Sequence, residues 1–130
     1  MKQIEIVAAI IFCSDRILCV QRNSDTYPYI SMKYEFPGGK IDTGETKEAA
    51  LKRELKEELN IDIEIFSEYM TVSHTYPDFY LTMHTYTCNC EDTAVALSVH
   101  IDHKWLTKDR LGELDWAAAD IPVIKRLALR

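Results

Sequence analysis

The chain has 130 residues, of which 47% are hydrophobic and 28% charged. Such size and composition fit one globular domain spanning residues 1–130, and exclude disorder, collagen-like repeats and a coiled coil. A core of this size needs no metal or disulfide to complete it. Fifteen Lys and Arg against 21 Asp and Glu give a net charge of −6, which argues against binding duplex nucleic acid, since neutralising phosphates takes clustered cations. The longest apolar run, Ile6 to Cys13, is too short for a membrane span. Met1 to Glu5 leads straight into a strand-like segment and lacks signal-peptide architecture. The expectation is a soluble cytoplasmic protein with no membrane partner. The four cysteines form no CxxC pair and read as small hydrophobes in a reducing compartment.

In chain order, Ile4 to Phe12 is continuously apolar, as a strand buried on both faces is. Ser14 to Arg16 reads as a turn and Ile17 to Gln21 as the return strand. Asn23 to Lys33 reads as a loop, and Tyr34 to Phe36 as a short extended piece before Pro37-Gly38-Gly39. The pattern then predicts a helix over Lys47 to Leu59. Thr46 suits its N-cap, Glu48 suits the positive end of the dipole, and Asn60 suits a left-handed stop. Ile61 to Ile65 alternates, and Tyr69 to His74 and Tyr80 to Cys90 are further strands about a turn at Pro77-Asp78. His100 to Trp105 is a last strand, and Ile121 to Leu129 has helical spacing. Interleaved helices and consecutive strands imply an α/β (α+β) fold with a mixed sheet between helices.

The helix carries the chemistry. Leu51, Leu55 and Leu59 make an apolar stripe. Glu54, Glu57 and Glu58 share a second face beside it. The like-charged pair Glu54 and Glu58, four residues apart, costs about 0.2–0.5 kcal/mol. A sequence chosen for helix stability alone would avoid it. A divalent cation reverses the sign of that interaction, and carboxylates of this kind select Mg²⁺ or Mn²⁺ over zinc. Upstream, Gly38, Gly39 and Gly44 permit close approach of backbone to a ligand. The segment is not a P-loop, because Lys40 is followed by Ile41.

Gly39, Glu45 and the run Arg53-Glu54-Leu55-Lys56-Glu57-Glu58-Leu59-Asn60-Ile61 resemble the box of the Nudix hydrolases, Gly-x5-Glu-x7-Arg-Glu-U-x-Glu-Glu-x-Gly-U with U aliphatic. One fixed position differs: Asn60 stands where the family has Gly, and both residues can take the left-handed cap. Glu35 to Lys40, Gln21-Arg22 and Ala119-Asp120-Ile121-Pro122 are similar to segments of the MutT-type branch. The resemblance implies an α/β/α sandwich and Mg²⁺-dependent hydrolysis of a nucleoside triphosphate to monophosphate and pyrophosphate, with Mn²⁺ as a substitute. It implies that Glu54, Glu57 and Glu58 hold the metal with the Gly38 carbonyl, and that Arg53 orients a carboxylate, Glu57 at i+4 fitting best. Some relatives use as base a Glu six residues before the Trp after the last long strand. Counted from Trp105 that position is Val99, leaving Glu54 or Glu57 as the better base candidates and His100 as a structural residue.

Arg22 is a candidate contact for phosphates or sugar, equally readable as an exposed Arg at a strand end, and Lys40 is a further candidate substrate-binding residue. Tyr76, with Phe79, is a candidate to stack on a base, although aromatics beside a strand are more often core. Asp120 reads either as a helix N-cap or, by the resemblance, as the residue facing the nucleobase. A carboxylate there suits an exocyclic amino group, and the surrounding Ala119-Asp120-Ile121-Pro122 is similar to members acting on cytidine nucleotides. The expected substrate is thus CTP, dCTP or a 5-substituted form, removed in sanitising the nucleotide pool. The alternatives are an oxidised purine such as 8-oxo-dGTP, or a nucleoside diphosphate linked to another group. A non-catalytic binding module is disfavoured because every box carboxylate is present. Both monomer and homodimer are compatible with the sequence.

Overall fold

The computed structural model describes residues 1–129. A seven-stranded mixed sheet is built around β1 (Lys2–Cys13). This strand turns back through Ser14, at φ 57°, into β2 (Arg16–Arg22). It also pairs in parallel with β6 (Phe79–Asn89), from Lys2 opposite Phe79 to Phe12 opposite Asn89. β5 (Glu64–Thr75) forms the far edge against β6. β3 (Tyr34–Glu35) and β7 (His100–Thr107) both pair with β2.

Because β1 lies inside the sheet, its side chains are buried on both faces, which explains its unbroken apolar run. Val7, Ala9 and Ile11 face one core cluster with Leu51, Leu55 and Leu59 of α1 (Lys47–Leu59). Ala8 and Ile10 face the other, with Trp116 and with Val123 and Leu127 of α2 (Ile121–Ala128). The result is a mixed sheet between helices. Among the described residues no helix is long and apolar enough to cross a membrane.

Both ends of α1 use the chemistry read from the sequence. The Thr46 hydroxyl accepts from Ala49 N–H at 3.1 Å. Asn60 adopts φ 54°, ψ 41°, and its N–H bonds back to Leu55 and Lys56 carbonyls. Three segments depart from the expected pattern. Gly38–Lys40 is not simply loop but a short strand, β4, antiparallel to β1 at Ile6 to Ala8. The strand expected at Ile61 starts only at Glu64 and runs unbroken to Thr75, with irregular register near Phe66 and Tyr69. Ile61 instead closes the helix end, its N–H reaching Leu55 O at 3.4 Å and its side chain buried. The segment after β7, Lys108–Glu113, forms a 3-10 turn that the sequence pattern did not suggest.

Candidate active site

β4 brings the glycines against α1. A Cβ on Gly38 would lie 1.9 Å from Val7 O, so the sheet itself demands a glycine there. A Cβ on Gly39 would lie 2.4 Å from the Glu54 carboxyl carbon. The glycine therefore makes the space in which that carboxylate sits against the backbone. Glu54 has a side chain only 14% exposed, whereas Glu57 is 60% exposed.

Arg53 organises this end. Its Nε donates to Glu45 Oε2 at 2.6 Å and its Nη2 to Glu45 Oε1 at 2.9 Å. Nη1 reaches Glu54 at 3.0 Å and Glu57 at 3.3 Å, and Nη2 also donates to the Lys40 carbonyl at 3.1 Å. The i+4 contact to Glu57 is present, but the tightest partner is Glu45. The Arg53 hydrogen bonds hold the Glu45 carboxyl down at about 2.

A cleft of about 720 Å³ runs from here across the sheet, lined by Gly38, Gly39, Lys40, Glu54, Glu58, Arg22, Glu35, Tyr76 and Asp120 among others. Glu58 is pushed up to about 7, first by burial and then by the charge of Glu54. Two carboxylates crowded on one wall repel, and a cation between them would relieve it. Among the described residues no three acidic, His or Cys groups are already drawn together around a point. Even so, an all-oxygen donor set, a cradle that a Cβ would fill and crowded carboxylates fit a hard divalent ion.

Asp120 is 4% exposed and accepts from Phe36 N–H at 3.0 Å through Oδ1. It stands at the start of α2 yet makes no side-chain cap bond there. Burial, then the charge of Glu35, pushes its carboxyl well above the usual range. Tyr76 is equally buried; its hydroxyl accepts from Ala119 N–H at 3.0 Å and its ring stacks on Tyr29 with centroids 5.1 Å apart. Arg22 donates to Glu35 at 3.0 Å and to Asp25 at 3.3 Å. Lys40 is exposed at the rim, and Val99 is half-exposed.

A NUDIX domain model matches residues 6–126. The chain belongs to the Nudix hydrolase family. Among Nudix relatives, the chain is 34% identical over 134 residues to the CTP pyrophosphohydrolase of Escherichia coli K12, covering 100% of this chain and 96% of that one. It is 31% identical over 128 residues to the 8-oxo-dGTP diphosphatase of the same organism, covering 98% of each. The solution structure of the E. coli ORF135 protein superposes with a TM-score of 0.81 at 30% identity, over 100% of this chain and 92% of that one. The MutT protein of Methanosarcina mazei Go1 superposes with a TM-score of 0.87 at 21% identity, over 98% and 94%, which speaks for the Nudix fold alone.

Two further residues line the cleft without a sequence motif that marks them as site residues, Glu35 and His100. Glu35 lies in the segment that carries the family resemblance. His100, which the sequence marks only as a structural residue, has its Nε2 3.2 Å from Glu35 Oε2, and its buried Nδ1 has no protein partner. The contact has no local sequence signal, because it joins residues of β3 and β7 across the intervening strand β2.

Proposed function

We propose that this Nudix hydrolase is a Mg²⁺-dependent nucleoside triphosphate pyrophosphohydrolase, releasing monophosphate and pyrophosphate. The observation that carries the reading is a single cleft lined by Glu54 and Glu58 of α1, by the glycine backbone of β4 and by a buried carboxyl, Asp120, with Glu57 exposed beside it. Glu54, Glu57 and Glu58 with the Gly38 carbonyl would hold the metal. When bound, it neutralises the triphosphate, polarises the attacked phosphorus and lowers the pKa of water. Arg53 holds Glu54 and Glu57 in place, and Glu54 or Glu57 takes the proton from water. Lys40 and Arg22 offer positive charge to the phosphates or sugar. Tyr76 backs the base, and Asp120 reads its edge.

The base we favour is cytosine, in CTP, dCTP or a 5-substituted form, because Asp120 offers an acceptor to an exocyclic amino group. The similarity to the CTP pyrophosphohydrolase supports this. The similarity to the 8-oxo-dGTP diphosphatase favours a second reading, an oxidised purine. The test is turnover of a nucleoside triphosphate panel with Mg²⁺, assaying pyrophosphate against orthophosphate. Pyrophosphate release with highest kcat/KM on a cytidine nucleotide is expected, whereas highest kcat/KM on 8-oxo-dGTP selects the second reading. Orthophosphate release, or no turnover of any triphosphate, overturns both. Glu57→Gln is expected to lower kcat by orders of magnitude with the fold intact.

A further inference from the structure

Cys19 and Cys88 are fully buried, whereas Cys13 and Cys90 are each partly exposed. The sheet sets the exposed two side by side. β1 and β6 run parallel in register as far as Phe12 opposite Asn89, and the Cys90 N–H donates to the Phe12 carbonyl at 3.3 Å. Cys13 and Cys90 are the next pair along. Side chains alternate along a strand. Cys13 therefore follows Val7, Ala9 and Ile11, and Cys90 follows Tyr86 and Cys88, onto the face that carries α1. The thiols interact directly, since burial first and then Cys13 push the Cys90 thiol up. Neighbouring strands lie about 4.8 Å apart, within the Cα separation of about 4.4–6.8 Å that a disulfide spans. Cys90 lies just past the end of β6, where the chain can adjust to the torsion of such a bond. Neither thiol lines the cleft.

We propose that Cys13 and Cys90 form an oxidant-responsive dithiol site, which a hydroperoxide converts into a reversible intramolecular disulfide that fastens β1 to β6. The Cys90 thiol donates to the Asp92 carbonyl at 3.2 Å, which holds its proton, so Cys13 is the sulfur that meets the oxidant. The Cys13 thiolate attacks one peroxide oxygen, the O–O bond breaks, and the other oxygen leaves as water, giving a sulfenic acid. The Cys90 sulfur then attacks the Cys13 sulfur. The S–S bond forms, the S–O bond breaks, and hydroxide departs with the Cys90 proton as water. Two thiols and one hydrogen peroxide thus become one disulfide and two waters. A thiol reductant reverses the step by exchange. Cys88, though near Cys90, is closed to the oxidant by burial. The bridge joins residues far apart in the chain, which restricts the unfolded ensemble. It also pins the root of the segment that covers the end of α1, where Ala96 N–H reaches Leu59 O at 3.0 Å and the Ser98 hydroxyl reaches Glu58 O at 2.9 Å. β4 meets β1 at Ile6 to Ala8, away from the bridge, so the cleft keeps its shape.

The experiment treats the folded, fully reduced protein with hydrogen peroxide, then blocks remaining thiols and analyses it by mass spectrometry without reduction. The monomer is expected to lose the mass of two hydrogens, and a peptide map is expected to link Cys13 to Cys90. Dithiothreitol is expected to restore both thiols. The oxidised protein is expected to melt about 5–15 °C higher than the reduced one. Cys13→Ser and Cys90→Ser are each expected to abolish the mass loss and the gain in melting temperature, whereas Cys88→Ala keeps both. Added oxygen atoms without a bridge, a covalent dimer, or a link through Cys88 overturns the proposal. A Cys13–Cys90 bridge that leaves the melting temperature unchanged or lower overturns the claim that it fastens the strands. The peptide map of the wild type decides the pairing even where a variant fails to fold.

Discussion

Arg53 grips Glu45 with two nitrogens, Nε to Oε2 at 2.6 Å and Nη2 to Oε1 at 2.9 Å. The pair ties the loop before α1 to its middle, and the same guanidinium touches Glu54 and Glu57. Planar two-point recognition of this kind is specific to arginine. Arg53→Lys is therefore expected to fold but to lower kcat about 10- to 100-fold through misplaced carboxylates. Steady-state kinetics beside a thermal melt checks this.

The same pair predicts a pH dependence. Glu45 is held down at about 2, first by the Arg53 hydrogen bonds. A carboxyl lowered on folding stabilises the protein above its ordinary pKa, and that contribution fades as pH falls toward the folded value. Between about pH 4.5 and 2, wild type is expected to lose stability that Glu45→Gln never had. Melting temperatures of both proteins across that range are expected to converge at the acid end.

Gly38 and Gly39 separate fold from site. Gly38→Ala would push a methyl into Val7 O and Ala8 Cα and is expected to cost about 1–3 kcal/mol or more in unfolding free energy. For Gly39→Ala the nearest atoms are all at the end of the Glu54 side chain. It is expected to keep its melting temperature nearly unchanged while kcat falls about 100-fold. Equal stability losses in the two variants would contradict this division.

Asp120 carries a stability cost and, in the function proposed above, a recognition role. Its carboxyl is raised by burial and by Glu35. A raised acid favours folding below its ordinary pKa, and that advantage is lost as pH rises toward the folded value. Asp120→Asn keeps an acceptor for Phe36 N–H without any charge to bury. It is expected to melt higher than wild type at pH 7, by on the order of 1 kcal/mol, with the difference vanishing near pH 4. Its base preference is expected to move more than its kcat on the best substrate. An unchanged preference would leave Asp120 as a structural group.

Asn60 occupies the left-handed cap at φ 54°. Asn60→Gly is expected to be neutral or slightly stabilising. Asn60→Val is expected to cost about 1–2 kcal/mol, since a branched side chain resists that conformation. Chemical denaturation resolves the two.

The parts legible in the sequence were those written in local periodicity. Leu51, Leu55 and Leu59 mark α1, Thr46 and Asn60 its ends, and the glutamates its second face. β4 was illegible because Gly38, Gly39 and Lys40 have no strand propensity; their pairing with Ile6 to Ala8 alone makes them a strand. The false strand start at Ile61 arose because an apolar residue that seals a helix end and one that enters a sheet look alike in alternation. Asp120 was legible as a carboxyl at a helix start, but its bond to Phe36 N–H, far away in the chain, was not. Glu35 and His100 are a long-range pair of the same kind.

The parallel match of β1 with β6 has a consequence for biosynthesis. β1 leaves the ribosome well before β6 and finds this longest partner only when Phe79 to Asn89 has emerged. Until then a nascent segment of unbroken hydrophobicity, Ile6 to Cys13, waits with only its hairpin mate β2 and the short β4 to cover it. Vectorial synthesis therefore completes this sheet late, and the interval before β6 arrives is when the newborn polypeptide is most exposed to chaperones and to aggregation.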